Sequence, residues 1–238
     1  MARVLVGCCG WAGKQADYFR DFNVIEIQQT FYKPPMPSTM QRWRDQAPAE
    51  FVFCLKAWQV ITHPASSPTY RKARLDIPSD ERDQYGFFQP TDAVMNGWEK
   101  TREAAEILRA AVVVFQCPAS FKPTDENKEN LRRFFEAIGP QPFTLAWEPR
   151  GQWPDREVAE LCNELGLIHV VDPFTRSPVT GGLIYYRLHG IGGYRYRYTD
   201  ADLLHLRDML HPHLDTYVMF NNVEMRADAL RFLRLLAQ

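Results

Sequence analysis

The chain has no CxxC pair, no HExxH stretch, no unbroken apolar run of the ~18 residues a membrane helix needs, and almost no net charge. Each absence narrows the reading. Five cysteines, an odd number without paired spacing, argue against a disulfide framework and for reduced, buried thiols. Without a long apolar run, no membrane span is expected. The missing HExxH leaves no ready-made metalloprotease motif. A formal net charge of −1 supplies no global attraction to nucleic acid, and leaves a local basic patch open. No low-complexity linker divides the 238 residues, a length near the roughly 250 of a single (β/α)8 barrel, so one domain over 1–238 is expected. The start, Met1-Ala2-Arg3-Val4, runs straight into an apolar strand with no signal-peptide pattern, and a cytoplasmic location is the expectation.

Eight short apolar runs recur along the chain, and each stops at a polar or ionisable residue. They predict strands at about Arg3–Cys8, Val24–Ile27, Phe51–Lys56, Val112–Gln116, Phe143–Glu148, Leu167–Asp172, Leu183–His189 and Thr216–Phe220. Helical stretches fall between most of them. Thr124 can cap a helix that Gly139-Pro140 ends, and Asp155 and Glu157 open another that Gly166 stops. Pro173–Gly182 is too short and broken for a helix. Ala57–Gly97 is expected to be irregular, a lid or a peripheral decoration, with a helix beginning near Trp98. The class is α/β: a single (β/α)8 TIM barrel with irregular or missing helices and a long loop after strand three.

In that fold the strand ends converge on one mouth. Strands buried on both faces are apolar, so a charge at the strand end is solvated, paired or used. Glu148 and Asp172 end neighbouring strands and, with His189, form the expected catalytic set, since carboxylates and an imidazole suit acid–base work. The same three residues can hold a divalent metal, the one cofactor the sequence suggests. Lys56, Arg150 and Arg187 form a cationic set matched to phosphate or carboxylate oxygens. Glu26, His63, Gln116, Asn221 and Asn222 are expected to contact substrate beside them. Beyond Gly190, Gly192 and Gly193, the strip Tyr194-Arg195-Tyr196-Arg197-Tyr198 alternates aromatic with cation, and Tyr194 and Tyr198 are expected to meet a sugar or base. Rim charges near balance keep structural salt bridges as an alternative. Cys8-Cys9 has no neighbouring base and reads as packing.

These segments together resemble the YecE-like family, domain of unknown function 72, over nearly the whole chain. The resemblance rests on Gly7-Cys8-Cys9-Gly10-Trp11, Glu26-Ile27-Gln28-Gln29-Thr30-Phe31-Tyr32, Phe51–Lys56 and Thr62-His63. It continues through Phe115–Pro118, Glu148-Pro149-Arg150 with Trp153, Asp172-Pro173, Tyr186–Gly190 and Phe220-Asn221-Asn222. It implies a TIM barrel, broadly similar to the sugar-isomerase and apurinic-endonuclease superfamily, and no particular activity. The family usually carries Thr-Ser in place of Cys8-Cys9, which counts further against thiol chemistry, and Asn in place of Gln28, a departure that bears on the hydrogen bond made there.

Three functions are consistent with these residues. The favoured one is a hydrolase-like enzyme acting on a phosphorylated or nucleic-acid-type anionic substrate. The second is a carbohydrate-active hydrolase or isomerase, with two carboxylates flanking a sugar. The third is a non-catalytic module for an anionic small molecule or RNA, in which every mouth carboxylate is locked to an Arg or Lys.

Overall fold

The protein is described here by a computed structural model covering residues 2–238. Eight strands, β1 Val4–Cys9, β2 Val24–Ile27, β3 Val52–Lys56, β4 Val112–Gln116, β5 Thr144–Glu148, β6 Ile168–Val171, β7 Leu183–Leu188 and β8 Asp215–Phe220, pair in parallel in chain order, and β1 closes on β8. Every strand end lies within one residue of its expected position. The helices are α1 Gln15–Asp21, α2 Gln29–Tyr32, α3 Pro37–Gln46, α4 Gln59–Thr62, α5 Pro68–Ala73, α6 Asp92–Leu108, α7 Asp125–Ile138, α8 Asp155–Leu165, α9 Asp200–Asp208 and α10 Met225–Leu236. As expected, no helix joins β6 to β7. Among the described residues no helix is long and apolar enough to cross a membrane.

Side chains of a strand alternate between two faces, and here the alternation separates two cores. One face fills the barrel interior with Val24, Cys54, Val114, Ala146, Val170 and Met219. The other, with Ile25, Phe53, Phe115, Trp147, Val218 and Phe220, packs beneath the helices. Thr124 accepts from the Asn127 N–H at 3.2 Å and caps α7, which turns Leu131 and Phe134 inward.

The stretch after β3 is more regular than its prolines suggest. It contains α4, α5, a short 3-10 turn at Arg82–Gln84 and the first turn of α6, which begins at Asp92 rather than near Trp98. Two local features explain the difference. Thr91 caps α6 by accepting from the Val94 N–H, and Gly97, a helix breaker by composition, is required by packing. A Cβ at Gly97 would approach Val60 Cγ2 to 2.3 Å, so its absence lets α4 lie close against α6.

Candidate active site at the barrel mouth

Strand parity determines what the mouth contains. Two residues beyond an interior position lies the next interior position. Val24 leads to Glu26, Cys54 to Lys56, Val114 to Gln116 and Ala146 to Glu148; Val170 leads to Asp172, Tyr185 to Arg187 and His189, and Met219 to Asn221. The chain thus gathers Glu26, Lys56, Gln116, Glu148, Asp172, Arg187, His189 and Asn221 on one rim.

Arg187 is the hub of this rim and is fully buried. Its Nε and Nη2 donate to the two oxygens of Glu26 at 3.0 and 2.9 Å. Its Nη1 donates to Gln116 Oε1 at 2.7 Å and to Glu148 Oε2, and Nη2 also reaches Cys9 Sγ at 3.7 Å. All five donors of the guanidinium are committed within the chain. Tyr185 Oη donates to Glu26 Oε2 at 2.9 Å, and the Gln28 amide donates to the other oxygen. Arg187 was expected to hold substrate; it is a structural tie instead, because no donor is left.

Glu148 and His189 face the open side of this hub. Arg150 Nη1 donates to Glu148 Oε1 at 3.0 Å, and His189 Nε2 lies 3.0 Å from the same oxygen. Asn221 Nδ2 sits 3.1 Å from His189 Nδ1. A neutral ring that donates from Nε2 to Glu148 and accepts at Nδ1 from Asn221 satisfies both contacts. Arg150 Nη1 lies 2.8 Å from the same Nε2, a hydrogen bond that it donates in the other tautomer. Burial works to raise the Glu148 pKa, but the Arg187 charge, with His189 and Arg150 behind it, holds the carboxyl well below the usual carboxylate range. A carboxylate held ionised in this way is a poor acid and a weak base. Its chemical use is to orient His189.

Asp172 corrects a further expectation. Its Oδ1 accepts from the Phe174 N–H at 3.1 Å and its Oδ2 from the His189 N–H at 2.9 Å. It fixes the two loops rather than presenting a free catalytic oxygen. With Glu148 likewise engaged, the expected Glu148–Asp172–His189 metal set is not assembled, and no group of three or more His, Cys, Asp or Glu side chains among the described residues is arranged to hold a metal. The closely spaced His211 and His213 lie just before β8, at the opposite pole.

Lys56 differs from its neighbours. It is 5% exposed, and its Nζ lies 3.5 Å from the centroid of the Phe31 ring. Its backbone carbonyl accepts from Thr30 Oγ1 at 2.7 Å, but among the described residues its Nζ makes no hydrogen bond or ion pair. Nor is its amine among the fully enclosed polar atoms left without partners, so the accessible fraction includes Nζ. Burial, reinforced by the like charge of Arg187, pushes its pKa down to about 7 against the pull of Glu26, Glu148 and Cys9. His63 stands beside it, edge-on to Phe31 at 5.0 Å, with Nδ1 2.8 Å from Thr62 Oγ1. Burial and the Lys56 charge lower the His63 pKa to about 3, so this imidazole stays neutral.

Two expected ligand contacts lie elsewhere. Asn222 is one residue out of parity with Asn221. It is fully buried and donates to the Tyr196 carbonyl and to Asp228 Oδ2, each at 2.8 Å. Tyr198 is buried against Phe174 and Phe220, and its hydroxyl accepts from the Gly190 N–H at 2.9 Å. That bond braces a turn in which Gly190 has φ +88° and lies so close to Gly193 that a Cβ would come within 2.2 Å of the Gly193 carbonyl. Tyr194, by contrast, is 59% exposed. It lines a cleft of about 500 Å³ with Glu148, Arg150, Asp172, His189 and Gly190. A larger cleft, about 880 Å³, lies at the other pole near Gly139 and Gly166, away from the rim just described. Tyr185 and Cys9 were not anticipated as site residues; interior parity would have found both, Tyr185 two residues before Arg187 and Cys9 in register with Glu26.

Comparison with known proteins places these observations in a family. Residues 5–238 match the model of the family described as protein of unknown function DUF72. The chain is 40% identical over 50 residues to UPF0759 protein YecE of Escherichia coli K12, a match covering 21% of this chain and 18% of that protein. A DUF72 family protein from Enterococcus faecalis V583 superposes with a TM-score of 0.74 at 17% identity, over 100% of this chain and 99% of the other. The fold is also similar to a xylose isomerase domain containing protein from Salmonella typhimurium (TM-score 0.61, 14% identity, 100% and 98% covered). Endonuclease IV from Thermus thermophilus is similar as well (0.57, 14%, 99% and 98%).

Proposed function

Because the chain belongs to the DUF72 family, whose name assigns no activity, we propose from the mouth itself a hydrolase-like enzyme acting on a small anionic substrate, phosphorylated or nucleic-acid-type. One observation carries this reading: Arg187 takes up both Glu26 and Glu148, while Arg150 Nε and Nη2 and the Lys56 amine have no hydrogen-bond partner among the described residues. The formal charges of the rim balance, but their directions do not. The oxygens of Glu26 and Glu148 are taken up by Arg187, Arg150 and His189, and those of Asp172 by backbone amides. The donors left without a partner are the Nε and Nη2 of Arg150, which lines the cleft, the Lys56 amine and the Gln116 amide nitrogen. Donors of this kind suit phosphate oxygens. His189, oriented by Glu148 and Asn221, is the acid–base group, and Tyr194 offers a flat wall. An endonuclease among the proteins of similar fold keeps phosphodiesters among the candidate substrates; fold alone does not choose between them.

A sugar-cleaving site is less well supported. Glycosidase chemistry needs one carboxyl group protonated at working pH, and Glu148 is held ionised. The test is calorimetric titration of the full chain with inorganic phosphate, ribose 5-phosphate, a mononucleotide and the neutral sugar ribose. Arg150→Ala is expected to weaken binding of each about tenfold or more, the loss of one charge-assisted contact. Equal affinity of the variant and the parent, or preference for the neutral sugar, would refute the reading.

A further inference from the structure

The Lys56 amine is left unexplained by anion binding alone. A lysine that only neutralises phosphate has no need to be desolvated, and burial weakens it in that role. Lys56 is enclosed against an aromatic face, lacks a carboxylate at ion-pair distance, and feels the Arg187 charge most strongly after burial itself. These are the two conditions that keep a lysine amine neutral and nucleophilic, an apolar pocket and a neighbouring positive charge. Groups from every side bear on it: Arg187 from β7, Glu26 from β2, Glu148 from β5, Cys9 from β1 and the neutral His63 from the segment after α4. Both acidic groups among them are already tied to Arg187, so neither forms an ion pair with the amine.

We propose that Lys56 is a nucleophile that forms a reversible imine with an aldehyde or ketone substrate bearing a phosphate group. The proposal rests on the anion-binding reading of the mouth and names the substrate class within it. The lone pair of Nζ adds to the carbonyl carbon and the C=O π electrons move to oxygen, which takes up one of the two Nζ protons. The resulting carbinolamine loses that oxygen as water and Nζ loses its proton, leaving C=N. No electrons are exchanged with any other reagent, and hydrolysis reverses the step. The spacing fits a short sugar phosphate. Lys56 and Glu148, whose neighbour is Arg150, stand two strands apart, roughly 10 Å at the backbone, and both long side chains reach inward across that gap.

The experiment is reductive trapping. The full-length chain is incubated with glyceraldehyde 3-phosphate at pH 7, reduced with cyanoborohydride and mapped by peptide mass spectrometry. An ordinary lysine is neutral in roughly one molecule in a few thousand at that pH, so Lys56 is expected to carry at least about tenfold more adduct than any of the six other lysines. Lys56→Arg, checked for folding by circular dichroism, is expected to lose the adduct. Labelling that follows surface exposure across all the lysines overturns the proposal. Calorimetric binding of the same compound with no Lys56 adduct also overturns it, and leaves anion binding standing. An adduct that forms equally well with unphosphorylated glyceraldehyde supports the imine and removes the anionic reading.

Discussion

Arg187 on β7 and Glu148 on β5 meet across the mouth with side chains 0% and 5% exposed. Two opposite charges so deep are stable only together, because either alone would be left desolvated. Arg187→Met is therefore expected to destabilise the fold by about 3–5 kcal/mol, read from urea or guanidinium midpoints. A change below about 1 kcal/mol would show that the tie is not structural.

The same pair sets an acid limit. Glu148 is held well below the usual carboxylate range, so its folded pKa lies under its unfolded one. Its contribution is fully present above the unfolded value, near pH 4.3, and is lost as pH falls toward the folded value. Urea midpoints are expected to drop below about pH 4.3, and Glu148→Gln to flatten that drop. Parallel acid limbs in both proteins would contradict the assignment.

Lys56 acts in the opposite sense. Its folded pKa of about 7 lies below an ordinary lysine's, so the unfolded chain binds the extra proton and stability rises from pH 7 to about pH 10.4. Below pH 7 the cost of burying the ammonium is fully felt. Lys56→Met is expected to stabilise the protein at pH 6, by up to about 5 kcal/mol, with the gain vanishing near pH 10.4. It should abolish imine trapping as well. Equal stability of parent and variant across this range would mean that the amine is not buried as described.

The two tyrosines of the aromatic strip should separate. Tyr198→Phe removes the acceptor for the Gly190 N–H and is expected to cost about 1–2 kcal/mol. Tyr194→Ala should change stability by less than about 0.5 kcal/mol and weaken ligand binding. Paired thermal melts and titrations distinguish these outcomes; the reverse pattern would move the ligand surface elsewhere.

The barrel and its rim were legible because they depend on local pattern. Apolar runs ending in charge mark a strand and its mouth end, and parity carries Ala146 to Glu148 and Tyr185 to Arg187. The distinction between Asn221 and Asn222 was equally available, since adjacent strand residues face opposite ways. What the sequence could not reveal is partnership. That Asp172 faces backbone amides, that Arg187 has no spare donor and that Lys56 has no carboxylate at ion-pair distance depend on side chains distant in the chain. The segment after β3 was misjudged for a similar reason, because Gly97 is a packing residue only once Val60 is known to lie against it.

Through Arg187, one guanidinium bonds to side chains of β1, β2, β4 and β5 while anchored on β7. Five of the eight staves therefore share a single fastening, and the floor beneath the opening yields as a unit or not at all. Loops above it are free to be rebuilt for new ligands without slackening the vessel that carries them.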